Sequence, residues 1–458
     1  GPATASAAAT RSEVYWLVPL LLILTMIPVR FDLAGQLLNP SRAMLVLVTP
    51  YLTVQWLSGK YGRLVYTDYA IAFFCFWMSL AVAHYNPSRL VGFAGSNVLQ
   101  VFGGYLIGRA AIRSAEDFFA LTKALVVTTL LLLPLAFYES VLNKDSPILN
   151  WLEQYPAIAA YRDSDMCCRL GLNRAQTVLI QPIHYGIFCS LSVVVFFLGM
   201  RNRVPAATRY VVTALLIAAV VFSVSSGALM TTLLQLGLAG YAILFHGLKK
   251  QWKLFNWGLL AGYVLLELNT TKFAFFTLAE KVAFSAHNAY TRQIMVNAGI
   301  GLVERYPLFG YGLRSWPLPY WMRYSASIDN YWLVLAGNFG LPTFVAAFSA
   351  FLVPLFYVGG NRLRKGSDLY YIRLSWTFLI ASLLLSLATV YLWDVLTTIV
   401  YMMLGAGMFL MYASEPDAQA APAEAPAPRR RYTRFPDRPP VTARPPVAAR
   451  PPLKPAGY

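Results

Sequence analysis

The chain has 458 residues, of which 58% are hydrophobic and only 12% are charged, and its mean hydropathy is +0.54. A soluble globular chain carries about 25% charged residues, so composition excludes an ordinary soluble protein. The formal net charge of +17 is no nucleic-acid signature, because the basic residues lie in loops between apolar runs and in the tail.

Gly1-Pro2 is expected to be a protease remnant of a removed tag, and residues 3–12, small and polar, are predicted to be a disordered start. About twelve apolar segments follow, near residues 15–28, 43–57, 68–84, 91–111, 121–141, 178–200, 210–224, 230–246, 254–268, 330–358, 372–393 and 396–412. A helix needs about 20 apolar residues to cross the hydrocarbon layer. The first two segments and the seventh are short for that and are expected to be tilted, re-entrant or interfacial. The fourth holds Gly104 and Gly108, a small-xxx-small pair that predicts close helix packing. Residues 223–227 predict a tight turn or a helix break. From residue 413 the chain is rich in Ala, Pro and Arg with repeated Arg-Pro-Pro, the composition of a disordered, solvated tail. The domains expected are therefore 1–12, a polytopic unit over 13–412, and a tail over 413–458.

Lys and Arg collect in loops that stay cytoplasmic. Lys60 and Arg63, Arg109 and Arg113, Arg201, Arg203 and Arg209, Lys249, Lys250 and Lys253, and Arg362, Arg364 and Lys365 mark alternate connections. The other connections hold few: Arg30, Arg42 and Arg89. Both termini are thus expected in the cytoplasm, with two long insertions, about 143–177 and 269–329, on the far side. That side is the periplasm for a bacterial inner-membrane protein. The four cysteines lack metal-ligand spacing, and adjacent Cys167 and Cys168 would form a strained bond; free thiols are expected.

The insertions carry the candidate chemistry. The first holds Arg169 and Arg174, the second Arg292, Arg305 and Arg314. Guanidinium is always charged and binds phosphate oxygens in a fixed fork. Arginines converging from two insertions would clamp a diphosphate and stabilise it as a leaving group without a metal or other cofactor. Singly, each arginine is better explained by lipid headgroups or by pairing with Asp163, Asp165 or Glu304; as a set, in a chain with so few other charges, they point to function. Asp329, before the tenth segment, is a candidate general base or helix cap. His287 is the alternative base. His184 follows Pro182 inside an apolar run, where packing would account for it. Tyr311, with Tyr290, Trp316, Tyr320 and Trp321, suits an interfacial belt or a platform for sugar rings.

The pattern Arg292…Tyr306-Pro307-Leu308-Phe309-Gly310-Tyr311-Gly312, then Asp329-Asn330-Tyr331-Trp332-Leu333, then Gly340-Leu341-Pro342 resembles the O-antigen ligase and polymerase superfamily, the lipopolysaccharide ligases and Wzy-type polysaccharide polymerases. The run Arg174…Gln181-Pro182-Ile183-His184-Tyr185-Gly186 resembles that family's preceding arginine-then-proline segment. The likeness covers roughly residues 90–410. It implies an all-α polytopic membrane fold of about twelve transmembrane helices, GT-C-like, with the larger external insertion before span ten. It implies metal-independent, inverting transfer of a glycan from undecaprenyl diphosphate to an acceptor hydroxyl. Arg174 and Arg292 would hold the donor diphosphate, with Arg305 a third candidate and Arg169, Arg314, His184, Tyr311 and Asn330 as further contacts.

Two departures from the family pattern matter. Ser225 is followed by Ser226 and Gly227 where family members often carry an arginine. Asp329 stands before Asn330 where ligases loading lipid A core typically show a histidine. The first external connection offers only Asp32, unlike the paired acidic motif of metal-dependent GT-C enzymes. The expectation is a polymerase of lipid-linked repeat units, with a ligase as the first alternative and a transporter of the same lipids as the second. The partners expected are a lipid-linked glycan and the bilayer, with room for a chain-length regulator.

Overall fold

The computed structural model describes residues 12–33, 36–155, 168–169, 171–248, 250–268, 286–322, 328–361 and 363–414. The expected disordered start, most of the tail, Cys167, and the central parts of both insertions lie outside these residues.

The described chain is mostly helical. In order it forms α1 (Leu17–Thr25), a two-stranded antiparallel hairpin of β1 (Phe31–Leu33) and β2 (Gln36–Leu38), then α2 (Pro40–Leu57), α3 (Tyr66–Tyr85) and α4 (Pro87–Ala111). There follow α5 (Ala115–Ser140), α6 (Pro147–Leu152), α7 (Pro182–Phe197), α8 (Ala206–Phe222), α9 (Ser226–Leu244) and α10 (Gln251–Leu268). The last are α11 (Ala286–Arg305), α12 (Tyr331–Phe339), α13 (Leu341–Gly360), α14 (Asp368–Ser386) and α15 (Val395–Met411). Six of these, α3, α4, α5, α9, α13 and α14, are long and apolar enough to cross a membrane, and α7, α8 and α15 are shorter apolar helices.

Local chemistry sets the helix starts. Asn39 caps α2 by accepting the Arg42 amide at 2.8 Å, with Pro40 in the first helical position. Ser114 caps α5, and Asp117 returns the contact by accepting from the Ser114 hydroxyl and the Arg113 amide.

The centre is packed by α7, which is buried on nearly every face, and by α15. Lipid is as apolar as leucine, so helices in a bilayer are held by close packing more than by hydrophobic burial. The glycine pair predicted from sequence does this. A Cβ on Gly104 would lie 2.4 Å from the Thr398 carbonyl, and one on Gly108 would lie 2.0 Å from that of Met402. Gly405 faces the Tyr105 carbonyl in the same way. Two stretches of α4, Leu90–Gly95 and Leu99–Gly103, are wound as π-helix, a form that often marks functional regions.

One end of the bundle is tied by ion pairs: Arg203 bridges Glu116 at 2.6 Å and Asp368 at 2.9 Å, and buried Arg109 lies 3.6 Å from Asp68. The end carrying the insertions is different. All four non-glycine residues with left-handed backbone among the described residues, Asn143, Thr177, Val224 and Asp394, lie there. Of residues 223–227, the first three form a tight turn, with Val224 at φ 42°, and Ser226 and Gly227 already open α9.

The tenth apolar segment is not continuous. It breaks at Gly340, φ 89°, between α12 and α13. The Pro307–Gly312 block is the clasp on this break. Tyr311 and Gly312 amides donate to the carbonyls of Gly337 and Asn338 at 2.7 and 2.9 Å, and Pro307 accepts the Leu341 amide at 2.7 Å. A Cβ on Gly340 would sit 2.0 Å from the Leu308 carbonyl. A helix C-terminus leaves orphan carbonyls, and this loop satisfies two of them.

Candidate functional site

Arg169 comes from the first insertion, in a tight turn closed by mutual backbone bonds with Leu172 at 3.0 Å. Gly171, at φ 77°, makes that turn. Arg292 comes from the second turn of α11, and Asp329 lies two residues before α12. The charges of Arg292 and Asp329 both act on Arg169. Burial lowers the Arg169 guanidinium from its usual value, the neighbouring Arg292 charge lowers it further, and the Asp329 carboxylate opposes both. Two half-buried guanidinium groups at short range repel, and one carboxylate balances one of them. Among these three described residues two guanidinium charges stand against one carboxylate, the balance an anion site needs.

Asp329 is not the cap of α12. Asn330 is: its Oδ1 accepts the Leu333 amide at 3.0 Å. The capping role weighed for Asp329 therefore passes to its neighbour, and the Asn330 carboxamide oxygen is committed to the backbone. Tyr331 follows and donates its amide to Leu387 and Val390 carbonyls at 2.8 and 3.1 Å. This locks the start of α12 to the 387–394 turn.

Arg174 is held by a different device. Its half-buried position precedes Ala175, whose amide donates to Phe222 at 2.9 Å. Buried Glu139 then accepts the amides of Gln176 and Thr177 through one oxygen, at 2.8 and 3.0 Å. Thr177 is held at φ 56°. A β-branched residue in this region is an outlier and costs about 1–3 kcal/mol. Glu139 is thus the residue that sequence reasoning overlooked here: it fixes the segment bearing Arg174.

The other candidates are dispersed. Arg305 is thirteen residues beyond Arg292 on the same helix, about 20 Å along its axis at 1.5 Å per residue, and is exposed. It is too far away to share one diphosphate with Arg292. Arg314 is exposed and stacks over Tyr85 at 5.2 Å and Tyr311 at 5.4 Å. His184 is fully buried, and its Nδ1 accepts the Trp393 indole N–H at 3.1 Å. That bond makes Nδ1 the unprotonated nitrogen, so His184 ties α7 to the 387–394 turn. Backbone places His287 in the first turn of α11; its side chain lies outside the described residues.

A second charged group lies at the same end. Between the β1–β2 hairpin and residues 393–394 is a cavity of about 300 Å³ lined by Arg30, Arg42, Asn39, Trp393 and Asp394, with Leu38 and Ile180 as its apolar wall. Asp394 Oδ1 accepts from Asn39 at 2.9 Å and Gln100 at 3.3 Å and pairs with Arg42 at 2.9 Å. Aromatic rings join this cavity to α12: Tyr331 to Tyr391 at 6.0 Å, and Tyr391 to Trp393 at 6.1 Å. Among the described residues no group of three or more His, Cys, Asp or Glu gathers as a metal would need. Cys75, Cys168 and Cys189 are free thiols.

No family model matches the chain, and no curated protein matches it.

Proposed function

We propose that the protein is an inner-membrane glycosyltransferase that polymerises glycan repeat units carried on undecaprenyl diphosphate. What supports this reading is that the Arg292 charge, from the second insertion, and the Asp329 carboxylate both act on Arg169 of the first. In it the chain crosses the bilayer about twelve times, both termini are cytoplasmic, and the insertions face the periplasm.

The reaction runs as follows. The donor diphosphate lies against Arg169 and Arg292, with Arg174 on the adjoining segment. An acceptor hydroxyl of a second lipid-linked unit attacks the anomeric carbon from the face opposite the diphosphate. The new glycosidic C–O bond forms as the C–O bond to phosphate breaks, and configuration inverts. Undecaprenyl diphosphate leaves with its added charge held by the guanidinium groups. The hydroxyl proton passes to Asp329, with His287 as the alternative base. Fixed cations near the leaving oxygens supply the electrostatic part of catalysis.

The test is reconstitution in liposomes with a synthetic undecaprenyl-diphosphate oligosaccharide and gel analysis of the glycan. A ladder of lengths is the expected result. Transfer only after lipid A core is added would make the protein a ligase, and substrate crossing the bilayer without product would make it a transporter.

A further inference from the structure

The cavity beside Asp394 has no part in the scheme above. We infer that it is a sugar-binding subsite, in which Asp394 and Arg30 take adjacent hydroxyls of a pyranose ring of the acceptor glycan. The assignment of that ring to the acceptor rests on the glycosyltransferase reading; the sugar site itself does not.

Four observations carry it. Asp394 sits at φ 52° and ψ −139°, a region that side-chain-bearing residues rarely adopt. It is the N-cap residue of α15 yet makes no side-chain cap bond. Its carboxylate is turned instead toward Asn39, Gln100 and Arg42, and all three contacts fall on Oδ1. The other oxygen, Oδ2, accepts no hydrogen bond from a described residue, while the carboxylate lines the cavity. One oxygen is anchored by three donors, and the other is presented as a fixed acceptor.

The rest of the wall complements a sugar. A pyranose offers hydroxyls that both donate and accept, and an apolar ring face. Arg30 lines the cavity and is in no ion pair among the described residues, so its guanidinium can donate to hydroxyl oxygens there. Trp393 is held by its bond to His184, and Leu38 and Ile180 add apolar wall. A volume of about 300 Å³ is at the small end of ligand pockets, which suits one ring and not an extended chain. The ring contacts from Trp393 through Tyr391 to Tyr331 join this wall to the start of α12, the helix that begins two residues after Asp329.

The purely architectural alternative is that Asp394 only glues the start of α2 to α15. It predicts altered stability and no sugar contact.

The experiment is saturation-transfer difference NMR on the full chain in detergent micelles, with free glucose, galactose, mannose and N-acetylglucosamine as probes. It needs no lipid donor and no turnover. At least one pyranose should receive saturation, and Asp394→Asn should weaken its binding at least about tenfold by removing a charge-assisted hydrogen bond. If Asp394→Asn does not yield folded protein, Arg30→Gln breaks no ion pair among the described residues and carries the same expectation. Arg292→Gln should leave binding unchanged. The subsite is overturned if none of the four sugars binds. It is also overturned if binding survives Asp394→Asn within about twofold, or falls in Arg292→Gln. Sugar binding without a polymer ladder would sink the polymerase and keep the subsite. A ladder without sugar binding would do the reverse.

Discussion

The Asn330 carboxamide oxygen accepts the Leu333 amide at 3.0 Å, and this places the cap of α12 one residue beyond Asp329. The two neighbours therefore divide the labour. Asn330 starts the helix; Asp329 lies within electrostatic reach of Arg169. Their substitution should separate cleanly. Asn330→Ala should cost about 1 kcal/mol of stability through the lost cap. Asp329→Asn should leave the helix start intact and abolish polymer formation. Thermal unfolding and the liposome assay read the two effects. Full chain growth by Asp329→Asn would remove it as the base.

The two arginines should behave as a unit. Loss of one fixed donor to a developing oxyanion costs about 10²–10³ in turnover. Arg169→Gln and Arg292→Gln should each do that, with normal membrane insertion. The double variant should fall well short of the product of the two, because residues in contact are not additive. Arg305→Gln, about 20 Å away along α11, should retain most activity. An Arg305 variant as inactive as the Arg292 one would mean that α11 presents its phosphate contacts along its whole length.

The helical, membrane-compatible character of the chain was legible in hydropathy, and so was the packing role of Gly104 and Gly108, because both depend on composition and spacing alone. The break of the tenth segment was not read, although Gly340-Leu341-Pro342 stands in the sequence. An apolar run has no period that reveals a kink, and what bends the chain is a distant loop, Pro307–Gly312, docking onto it. Likewise the sequence supplied a pool of arginines but no way to sort them. Arg169, the lesser candidate, is the one that feels the Arg292 charge, whereas Arg305 lies about 20 Å further along α11. Asp394 reads in sequence as a residue at a span end. Only the chain's return past Asn39, Arg42 and Gln100 makes it a hub.

The clasp at Gly340 makes a folding prediction. Any Cβ there meets the Leu308 carbonyl at 2.0 Å, and the φ of 89° is unfavourable for an L side chain. Gly340→Ala must push the Pro307–Gly312 loop off the helix ends that it satisfies. Destabilisation of about 3 kcal/mol or more is expected, from strain and from backbone groups left unpaired. Loss of the monodisperse peak in fluorescence-detected gel filtration would report it. A Gly340→Ala protein with unchanged melting would mean the loop yields freely.

Glu139 gives the most direct test of how the Arg174 segment is held. One carboxylate oxygen collects two amides, from Gln176 and from the strained Thr177. Glu139→Gln keeps a neutral acceptor oxygen of the same size but removes the charge. Hydrogen bonds to a charged group are worth about 1.5–3 kcal/mol against 0.5–1.5 for neutral ones, so two such bonds weakened together should cost about 2 kcal/mol. The strain at Thr177 acts in the same direction, since a loosened turn relaxes away from φ 56°. Thr177→Gly should recover part of the loss, because glycine adopts that conformation at no steric cost. Melting of the two single variants and the double variant measures this coupling, and chain growth reports whether Arg174 has moved. If Glu139→Gln melts like the parent protein, the segment is held by other contacts, the Ala175–Phe222 bond among them, and Glu139 has no positioning role.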